Sequence, residues 1–305
     1  DVVVTGTGSD INNLKVFGSA TADNINYNGF GINSAVSSFY LDGNNLKIDN
    51  LKAELPSRGK IGAEGTLIDN KLDLKFYGAH VDMATAKVFD DSLDMSGLTD
   101  FVGEIHGDTN NPQIILNLSA VGDERDKHFT GKLFKQPFDS IKLSAAGSFD
   151  GVNVDKFELE KSGQITWTVK QGVVGFTGNK NIDIELETAK ARVEDIVALV
   201  APDQPLTGNI NNVVKITGTL NNPKVAGVVD FKYGSYHGIL VSGMHGEYFV
   251  DDDKIRLQDF EITSPMADMI LNGTVERKTQ ELNFVVQGND LSLKRIENKF
   301  PYPVS

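Results

Sequence analysis

The stretch Ile216–Phe231, ITGTLNNPKVAGVVDF, decides how this chain folds. Apolar residues alternate with polar residues on both sides of Asn221-Asn222-Pro223, which interrupts the alternation. Such alternation is typical of β-strands with one apolar face. Proline fixes its own φ angle and favours an extended residue before it, while asparagine tolerates turn conformations. The stretch therefore predicts two antiparallel strands joined by a hairpin, with Asn222 and Pro223 at its exposed tip.

The same pattern occurs twice more in the sequence. Residues 105–118 read IHGDTNNPQIILNL, and Gly107 lies 111 positions before Gly218. A weaker copy opens the chain, where Gly6 precedes Asn12-Asn13 and lies 101 positions before Gly107. This near-constant spacing predicts a repeat protein with units of roughly a hundred residues. It also predicts a second exposed hairpin tip at Asn111-Pro112.

A second signature recurs in each unit and contains a change of phase by one residue. Apolar residues follow the spacing i, i+2, i+5, i+7 in three segments, Leu46–Ala53, Val152–Leu159 and Ile255–Ile262. Such a strand would turn half of its apolar side chains to the wrong face unless an extra residue restored the phase. The pattern therefore predicts a bulge or bend in each of the three strands.

The rest of each unit predicts further strands and one short helix. A strand that contains glycine precedes a cleanly alternating strand, of which residues 181–187, NIDIELE, are the clearest example. The apolar spacing then changes from two residues to the period of a helix. The three predicted helices are residues 82–91, 191–200 and 292–299. In the second of these, Val193, Ile196, Val197 and Val200 would form an apolar stripe against the sheet.

No linker separates the units, because charge, glycine and proline are spread evenly along the chain. This favours an all-β, elongated and continuous antiparallel sheet with short helices over three tandem β-sandwiches. We expect a single continuous fragment, residues 1–305, of a longer protein. Its predicted parts are a repeat tail (residues 1–25), two repeat units (residues 26–125 and 126–235) and an incomplete unit (residues 236–305).

The composition excludes several classes of function. The net charge of −13 argues against nucleic acids and anionic membrane surfaces, since both are bound through lysine and arginine. The chain has no cysteine, which excludes disulfides, thiolate catalysis and cysteine metal sites. No apolar run reaches the roughly 18 residues of a membrane-spanning helix. The chain begins in the middle of a repeat, so we expect any membrane anchor to lie outside it.

The polar residues do not form a recognisable catalytic motif. The five histidines lie at positions 80, 106, 128, 237 and 245. His237 and His245 are the closest pair, but they lack metal-ligand spacing. Asp251-Asp252-Asp253 could offer oxygen ligands to Ca²⁺, but it falls where the other units have Asp42-Gly43 and Asp150-Gly151. We therefore expect a solvated hairpin tip there, with no catalytic residue and no metal ligand.

Three segments carry a resemblance to a known family. They are TGTLNNPKV at residues 217–225, GAEGTL at residues 62–67 and LNGTV at residues 271–275. Together with β-units of roughly a hundred residues, they resemble the TamB family (translocation and assembly module subunit TamB), within the AsmA-like bridge-type lipid transfer proteins. The resemblance covers nearly the whole chain. It implies a β-taco, which is a long sheet folded lengthwise into a U-shaped trough with an apolar lining.

The resemblance also implies a function. It places the full-length protein in the bacterial inner membrane and this fragment in the periplasm, as a groove that conducts phospholipids between the inner and outer membranes. The implied partners are phospholipid acyl chains, the membrane through anchors outside the fragment, and an outer-membrane β-barrel of the Omp85 type. Outer-membrane homeostasis would depend on this transport. No enzymatic activity and no cofactor are expected.

The physics of an open apolar face agrees with such a role. Each buried methylene contributes about 0.8 kcal/mol, and this gain is non-directional, so a chain can slide. A structural, adhesin-like protein of tandem β-sandwiches without a ligand would show the same alternation, and a sugar-active enzyme with paired carboxylates is a third alternative. The residues expected to line the groove are Leu72, Leu74, Phe76, Ile105, Ile114, Leu116, Leu118, Ile165, Trp167, Ile182, Ile184, Leu186, Ile216, Val225, Val229, Phe231, Leu282, Phe284 and Val286.

Overall fold

A computed structural model describes residues 2–6, 14–27, 29–56, 58–88, 95–122, 131–133, 136–162, 164–194, 206–219, 221–236, 238–265 and 267–289. Nearly all of these residues are in β-strands or in the turns between them. Helical residues in the described ranges are confined to a 3-10 helix over Met83–Val88 and to residues 193–194. The prediction of an all-β fold is confirmed.

The chain divides into two compact units, residues 1–157 and 158–305, and the boundary falls within one strand. Up to that strand, the elements are β1 (Val2–Gly6), β2 (Leu14–Tyr27), β3 (Phe30–Asp42), β4 (Asn45–Glu54), β5 (Lys60–Ile68), β6 (Lys71–Asp82), β7 (Met95–Ser96), β8 (Leu98–Asp108), β9 (Gln113–Val121), β10 (Gly131–Leu133), β11 (Gln136–Phe138), β12 (Ser140–Ser148) and β13 (Gly151–Lys161). The remaining strands are β14 (Gln164–Gly175), β15 (Asn181–Arg192), β16 (Leu206–Thr219), β17 (Asn222–Tyr236), β18 (Ile239–Val250), β19 (Lys254–Ser264), β20 (Ala267–Glu276) and β21 (Leu282–Asn289).

Neighbouring strands in the sheet follow the order of the chain. In unit 1, antiparallel ladders join β1 through β6 in sequence and then β6 to β8, β8 to β9, and β9 to β12. In unit 2, each strand from β14 to β21 pairs with the next. Eighteen strands belong to one sheet, and β7, β10 and β11 form a second, small one. The predicted continuous antiparallel sheet is therefore confirmed.

The hairpin around Asn111 agrees with the prediction in part. The strands β8 and β9 pair on either side of residues 109–112, and Asn111 is exposed in the turn. Pro112, however, is buried, so only the asparagine lies at the exposed tip. Asn12 and Asn13 of the weaker copy lie outside the described residues, although β1 and β2 pair on either side of them.

The hairpin at Ile216–Phe231 is displaced from its predicted position. Asn222 and Pro223 belong to β17, where Pro223 lies opposite Gly218, so the tip lies earlier, at Asn221. Proline has no backbone N–H and therefore cannot donate a hydrogen bond to a second neighbouring strand. No such hydrogen bond is needed at this position, because the pairing of β17 with β18 begins only at Val225.

The predicted β-bulges explain how the phase change keeps apolar residues on one face. The register shifts between Ile48 and Leu51 in β4, and between Leu257 and Phe260 in β19. The apolar residues on both sides of each shift consequently face the same way. In the corresponding segment of β13, Leu159 is buried.

Three register shifts share a feature that the sequence pattern did not reveal. Each contains a non-glycine residue with positive φ, namely His80, Lys190 and Asp259. The backbone N–H of each donates to a side-chain oxygen on the next strand: Asp100 at 2.6 Å, Asn211 at 2.8 Å and Asn272 at 2.8 Å. A bulged residue leaves the ladder, so a side chain satisfies its N–H in place of the neighbouring backbone.

The predicted helices begin later than expected or lie outside the described ranges. Asp82 ends β6, and the 3-10 helix begins one residue later. Ala191 and Arg192 belong to β15, because Ala191 still pairs with Ile210 across the sheet, so helical structure begins only at Val193. Ile196, Val197 and Val200 lie outside the described residues, as does the third predicted helix at 292–299.

Candidate functional site

In unit 1, the register of the sheet gathers alternating apolar residues onto one surface, which we call the unit 1 apolar face. Phe76 of β6 lies opposite Gly103 of β8, which lies opposite Leu116 of β9. Phe101 and Leu118 form the adjacent row. The rings of Phe76 and Phe101 have centroids 6.1 Å apart and planes inclined by 56°, a tilted arrangement that aromatic pairs favour.

Glycines make room for these two rings. A side chain at Gly103 would collide with the Phe76 ring, and one at Gly78 would collide with the Phe101 ring. Each aromatic side chain therefore approaches the backbone of the neighbouring strand, which only glycine permits. The glycines that interrupt the alternating pattern are part of the surface.

A cavity of about 590 Å³ lies on the unit 1 apolar face. Side chains of β6, β8, β9 and β12 line it, together with residues of the 3-10 helix and of the small sheet. Most of the lining is aromatic or aliphatic. Its larger side chains include Phe30, Phe76, Phe101, Leu118, Leu143 and Phe157. The polar side chains among the described lining residues are Asp82, Thr85 and Thr99.

The polar groups of this cavity are engaged with the backbone. The Asp82 carboxylate accepts a hydrogen bond of 2.9 Å from the N–H of Ala84, and the Thr85 hydroxyl donates to the Asp82 carbonyl at 2.6 Å. These bonds cap the start of the 3-10 helix. The Thr99 hydroxyl donates to the Ser119 carbonyl at 3.1 Å. The remaining cavity wall therefore offers apolar contact.

The 3-10 helix and the small sheet cover one end of the unit 1 apolar face. The N–H of Met83, at the start of the helix, donates to the carbonyl of Gly97 at 2.9 Å. Phe138 of β11 is completely buried, and its ring occupies the space that side chains at Gly97 and Gly131 would need. This end of the face is consequently closed by packed side chains.

In unit 2, the register forms an equivalent surface, which we call the unit 2 apolar face. One row runs across four strands, from Ile184 through Ile216 and Val225 to Val250. Asp183, Glu185 and Glu187 alternate with the apolar residues of β15 and therefore lie on the opposite face. Two lysines pair with this acidic row, Lys170 with Glu187 at 2.9 Å and Lys215 with Asp183 at 3.9 Å.

The unit 2 apolar face is closed at one end of the strands and open on β21. A buried cluster of Ala191, Val193, Ile210, Val229, Phe231 and Phe260 forms the closed end. On the last strand, by contrast, Leu282 and Val286 are 67% and 55% exposed. A surface with this gradient combines a rigid core with apolar area that remains available for contact.

A small polar cluster interrupts the unit 2 apolar face near its closed end. The Asn212 Nδ2 donates to the Tyr248 hydroxyl at 2.9 Å, and the hydroxyl lies 3.2 Å from Asn212 Oδ1. Thr188 lies directly opposite Asn212 in the register. Burial raises the pKa of Tyr248, and the hydrogen bond from Asn212 partly offsets this effect. We call these three residues the polar cluster.

The described residues contain no recognisable metal centre. In that part of the chain, no group of three or more His, Asp or Glu side chains could hold a metal ion. His237, which the sequence paired with His245, lies outside it. No family model, curated protein or solved structure matches the chain. The helical segments in the described ranges all fall short of the length and hydropathy of a membrane span.

The Asp251–Asp253 run forms a hairpin tip between β18 and β19. The Asp251 carboxylate accepts hydrogen bonds from the N–H groups of Asp253 and Lys254, at 3.0 and 2.8 Å. Lys278 approaches Asp253 at 2.8 Å. The backbone hydrogen bonds from Lys254 and Asp253 lower the pKa of Asp251. The carboxylates of Asp251 and Asp253 are thus engaged at this tip.

The structure distributes the predicted groove residues over the two apolar faces. On the unit 1 apolar face, the register brings together Leu72, Leu74, Phe76, Ile105, Ile114, Leu116 and Leu118. On the unit 2 apolar face, it brings together Trp167, Ile182, Ile184, Leu186, Ile216, Val225, Val229, Phe231, Leu282, Phe284 and Val286. Ile165 is 47% exposed, two positions before Trp167 on β14. Val229 and Phe231 lie in the buried cluster rather than in the open part.

Sequence reasoning missed several residues of both faces. Phe101 alternates with Thr99 and Gly103, which weakened its apolar signal, and Phe157 lies beyond a phase change. The bulge pattern could have identified Phe157 and Phe260. Asn212 and Tyr248 gave no signal, because their contact depends on the pairing of strands that are not adjacent to each other.

The opposite face of unit 1 carries an exposed cluster of ionisable groups. His106 Nε2 lies 2.9 Å from Glu104 Oε2, and His106 Nδ1 lies 3.1 Å from Asp73 Oδ1. The hydrogen bond with Glu104 is the main cause of a raised pKa of His106, and the same bond lowers the pKa of Glu104. All three groups are solvated, so this cluster serves the polar side of the sheet.

Proposed function

We propose that this chain is a periplasmic segment of an envelope-spanning protein of the TamB type, and that its apolar faces conduct phospholipids between the inner and outer membranes. Acyl chains would lie against the apolar faces, while headgroups remain in water. In this proposal the full-length protein is anchored in the inner membrane by segments outside this chain. An outer-membrane β-barrel of the Omp85 type would receive the lipid.

The observation that carries the proposal is the apolar cavity of unit 1. Its volume of about 590 Å³ falls within the roughly 300–1,000 Å³ typical of small-molecule sites. The only charged group among its described lining residues is Asp82, which caps a helix. A ligand made of methylene groups gains about 0.8 kcal/mol for each one buried and requires no polar partner. An acyl chain meets these conditions better than a sugar or a charged metabolite.

The open part of the unit 2 apolar face supports the same proposal. Apolar side chains that are half or more exposed, such as Leu282 and Val286, leave apolar surface in contact with water when no ligand is bound. Because hydrophobic contact is non-directional, such a surface can hold a chain without fixing its position along the strands. This property suits conduction more than tight, specific binding.

A matched pair of photo-crosslinking probes tests the proposal. Leu118 lines the cavity, whereas Asn117 is the preceding residue on β9 and points to the opposite face. A photoreactive amino acid at position 118 should capture phospholipid in cells, and the same probe at position 117 should not. Mass spectrometry of the purified chain should also detect co-purified phospholipid.

Two results would reject the proposal. Lipid capture of equal yield at both positions would indicate non-specific exposure to membrane rather than a groove. Capture of protein alone at position 118, together with a lipid-free purified chain, would instead support the structural, adhesin-like alternative.

A further inference from the structure

The polar cluster on the unit 2 apolar face has hydrogen-bonding capacity that the described residues do not use. Thr188 is 4% exposed, and its hydroxyl oxygen is buried without a hydrogen-bond partner among the described residues. Leaving a buried hydroxyl unpaired is unfavourable, so such groups in native proteins call for an explanation. A ligand that supplies the missing partner is one explanation with testable consequences.

The geometry of the cluster shows that it is built rather than incidental. Tyr248 lies on β18 and Asn212 on β16, so their contact spans the intervening strand β17. The span is open because Tyr248 lies opposite Gly227, where any side chain would collide with the tyrosine ring. The tyrosine thus reaches Asn212 over a position that has been left empty.

Two of the spare groups of the cluster are donors that lie side by side. A primary amide has two N–H donors, and the described contacts of Asn212 use one of them, toward Tyr248. The Thr188 hydroxyl adds another donor next to it, since side chains directly opposite each other in an antiparallel pair have Cβ atoms about 4.5–5.5 Å apart. A ligand atom that fits this cluster is therefore a hydrogen-bond acceptor.

The surroundings of the cluster favour a neutral acceptor. In the register, Thr188 and Asn212 have Trp167 and Val229 as their outer neighbours, and Leu186 and Val214 form the adjacent row. No described position that the register places on this face is a lysine or arginine. An anionic phosphate would lose its hydration here without gaining a counter-charge, which is strongly unfavourable. A carbonyl oxygen loses much less.

We propose that the polar cluster binds the ester carbonyl of a glycerolipid whose acyl chain lies along the unit 2 apolar face. This inference rests on the proposed function, because it assumes that acyl chains occupy this face. It adds a substrate class, because the cluster would bind ester-linked lipids more tightly than lipids of equal length without carbonyl groups. The cluster acts as a hydrogen-bonding stop within a surface that otherwise lets chains slide.

The test compares two lipids that differ only in the carbonyl groups. Short-chain dihexanoyl phosphatidylcholine is ester-linked, and its dihexyl ether analogue has the same headgroup and nearly the same apolar length. Binding to the full chain can be followed by the fluorescence of Trp167, the only tryptophan, which lies opposite Thr188. With one or two additional hydrogen bonds, the diester should bind about 2–150-fold more tightly, which corresponds to about 0.5–3 kcal/mol.

Three variants assign this preference to the cluster. Asn212→Leu, which removes a donor to the ligand, should bring the ratio of the two affinities close to one, mainly by weakening diester binding. Tyr248→Phe, which removes the hydroxyl that holds Asn212 in place, should reduce the ratio by a smaller factor. Thr188→Val, which replaces an unpaired hydroxyl by a methyl group of similar size and should preserve folding, should reduce the ratio by a smaller factor. Tyr77→Phe on the opposite face of unit 1 removes a hydroxyl elsewhere and should leave the ratio unchanged.

The outcomes separate this inference from the proposed function. Equal affinity of the wild-type chain for both lipids would overturn the ester site while leaving acyl-chain binding intact. A diester preference that persists in all three variants would likewise reject the cluster as its cause. If neither lipid binds, acyl-chain binding by the unit 2 apolar face fails, and the ester site fails with it.

Discussion

Replacing Phe231 by alanine should destabilise unit 2 more than a substitution anywhere on its open part. Phe231 is completely buried in the cluster at the closed end of the unit 2 apolar face. Its ring occupies the space beside Gly208 and Gly234, where added side chains would collide with it. These neighbours are backbone atoms held in the sheet, so they cannot move inward to fill the cavity that alanine would leave.

The expected magnitude follows from the buried area. A buried phenylalanine removes about 150–250 Å² from water, which corresponds to about 4–6 kcal/mol at 25 cal/mol per Å². Alanine retains about 1 kcal/mol of this through its methyl group. The net loss of about 3–5 kcal/mol agrees with the range measured for buried Phe→Ala substitutions.

Urea unfolding of the whole chain, monitored by the fluorescence of Trp167, measures this loss in unit 2. Trp167 is the only tryptophan and lies on β14 of unit 2. With a slope of about 3 kcal/mol per molar urea, the midpoint should fall by about 1–1.5 M. The control is Leu282→Ala on the same face, where 67% exposure predicts a change within about 0.5 kcal/mol. Similar midpoints for the two variants would show that the closed and open ends have been misassigned.

Three further predictions concern the polar face, a glycine and a bulge. In an NMR titration, the pKa of His106 should lie above its usual value of about 6.5 and should return towards that value in Glu104→Gln. The stabilisation from His106 is complete below the unfolded-state pKa of histidine and is lost as the pH rises through the raised pKa. The stabilisation from Glu104 is lost as the pH falls through its lowered pKa. Gly65→Ala should lower the free energy of unfolding, measured by circular dichroism, by several kcal/mol, because the added Cβ would collide with the Asp73 carbonyl. Gly107 also has a positive φ but lies in open space, so Gly107→Ala should cost only about 1–2 kcal/mol. Asn272→Ala should cost about 0.5–1.5 kcal/mol by removing the hydrogen bond to the solvent-exposed Asp259 N–H, and an unchanged Trp167 unfolding curve would contradict the assigned role.

The strands and bulges were predictable because they depend on neighbours in the sequence. Alternation in residues 181–187 identified both faces of β15, and the phase change in Ile255–Ile262 located the β19 bulge. Pro223 was misplaced because a proline near an asparagine suggests a loop, whereas only the pairing of β17 shows that a strand position there needs no N–H for a second ladder. The sequence pattern alone does not show on which side the end of a strand lacks a paired neighbour.

The remaining features depend on contacts that no short window of sequence contains. Strands β10 and β11 have three residues each, which is too short for a period to be recognised. The Asn212–Tyr248 hydrogen bond joins residues 36 positions apart across a strand that both must span. Tyr248 alternates correctly as an apolar residue, and Asn212 interrupts the alternation, so each was interpretable only after the register was known.

The pairing of each strand with a close successor in the chain has a consequence for how the protein is made. A chain that emerges from its N-terminus, whether from a ribosome or from an export pore, can dock each new strand on the one completed just before it. Most loops between partners are short, so little entropy is lost for most of the strands added. Throughout such growth only the latest strand exposes an unpaired edge on the growing side, which limits the time during which that edge could recruit a strand from another molecule.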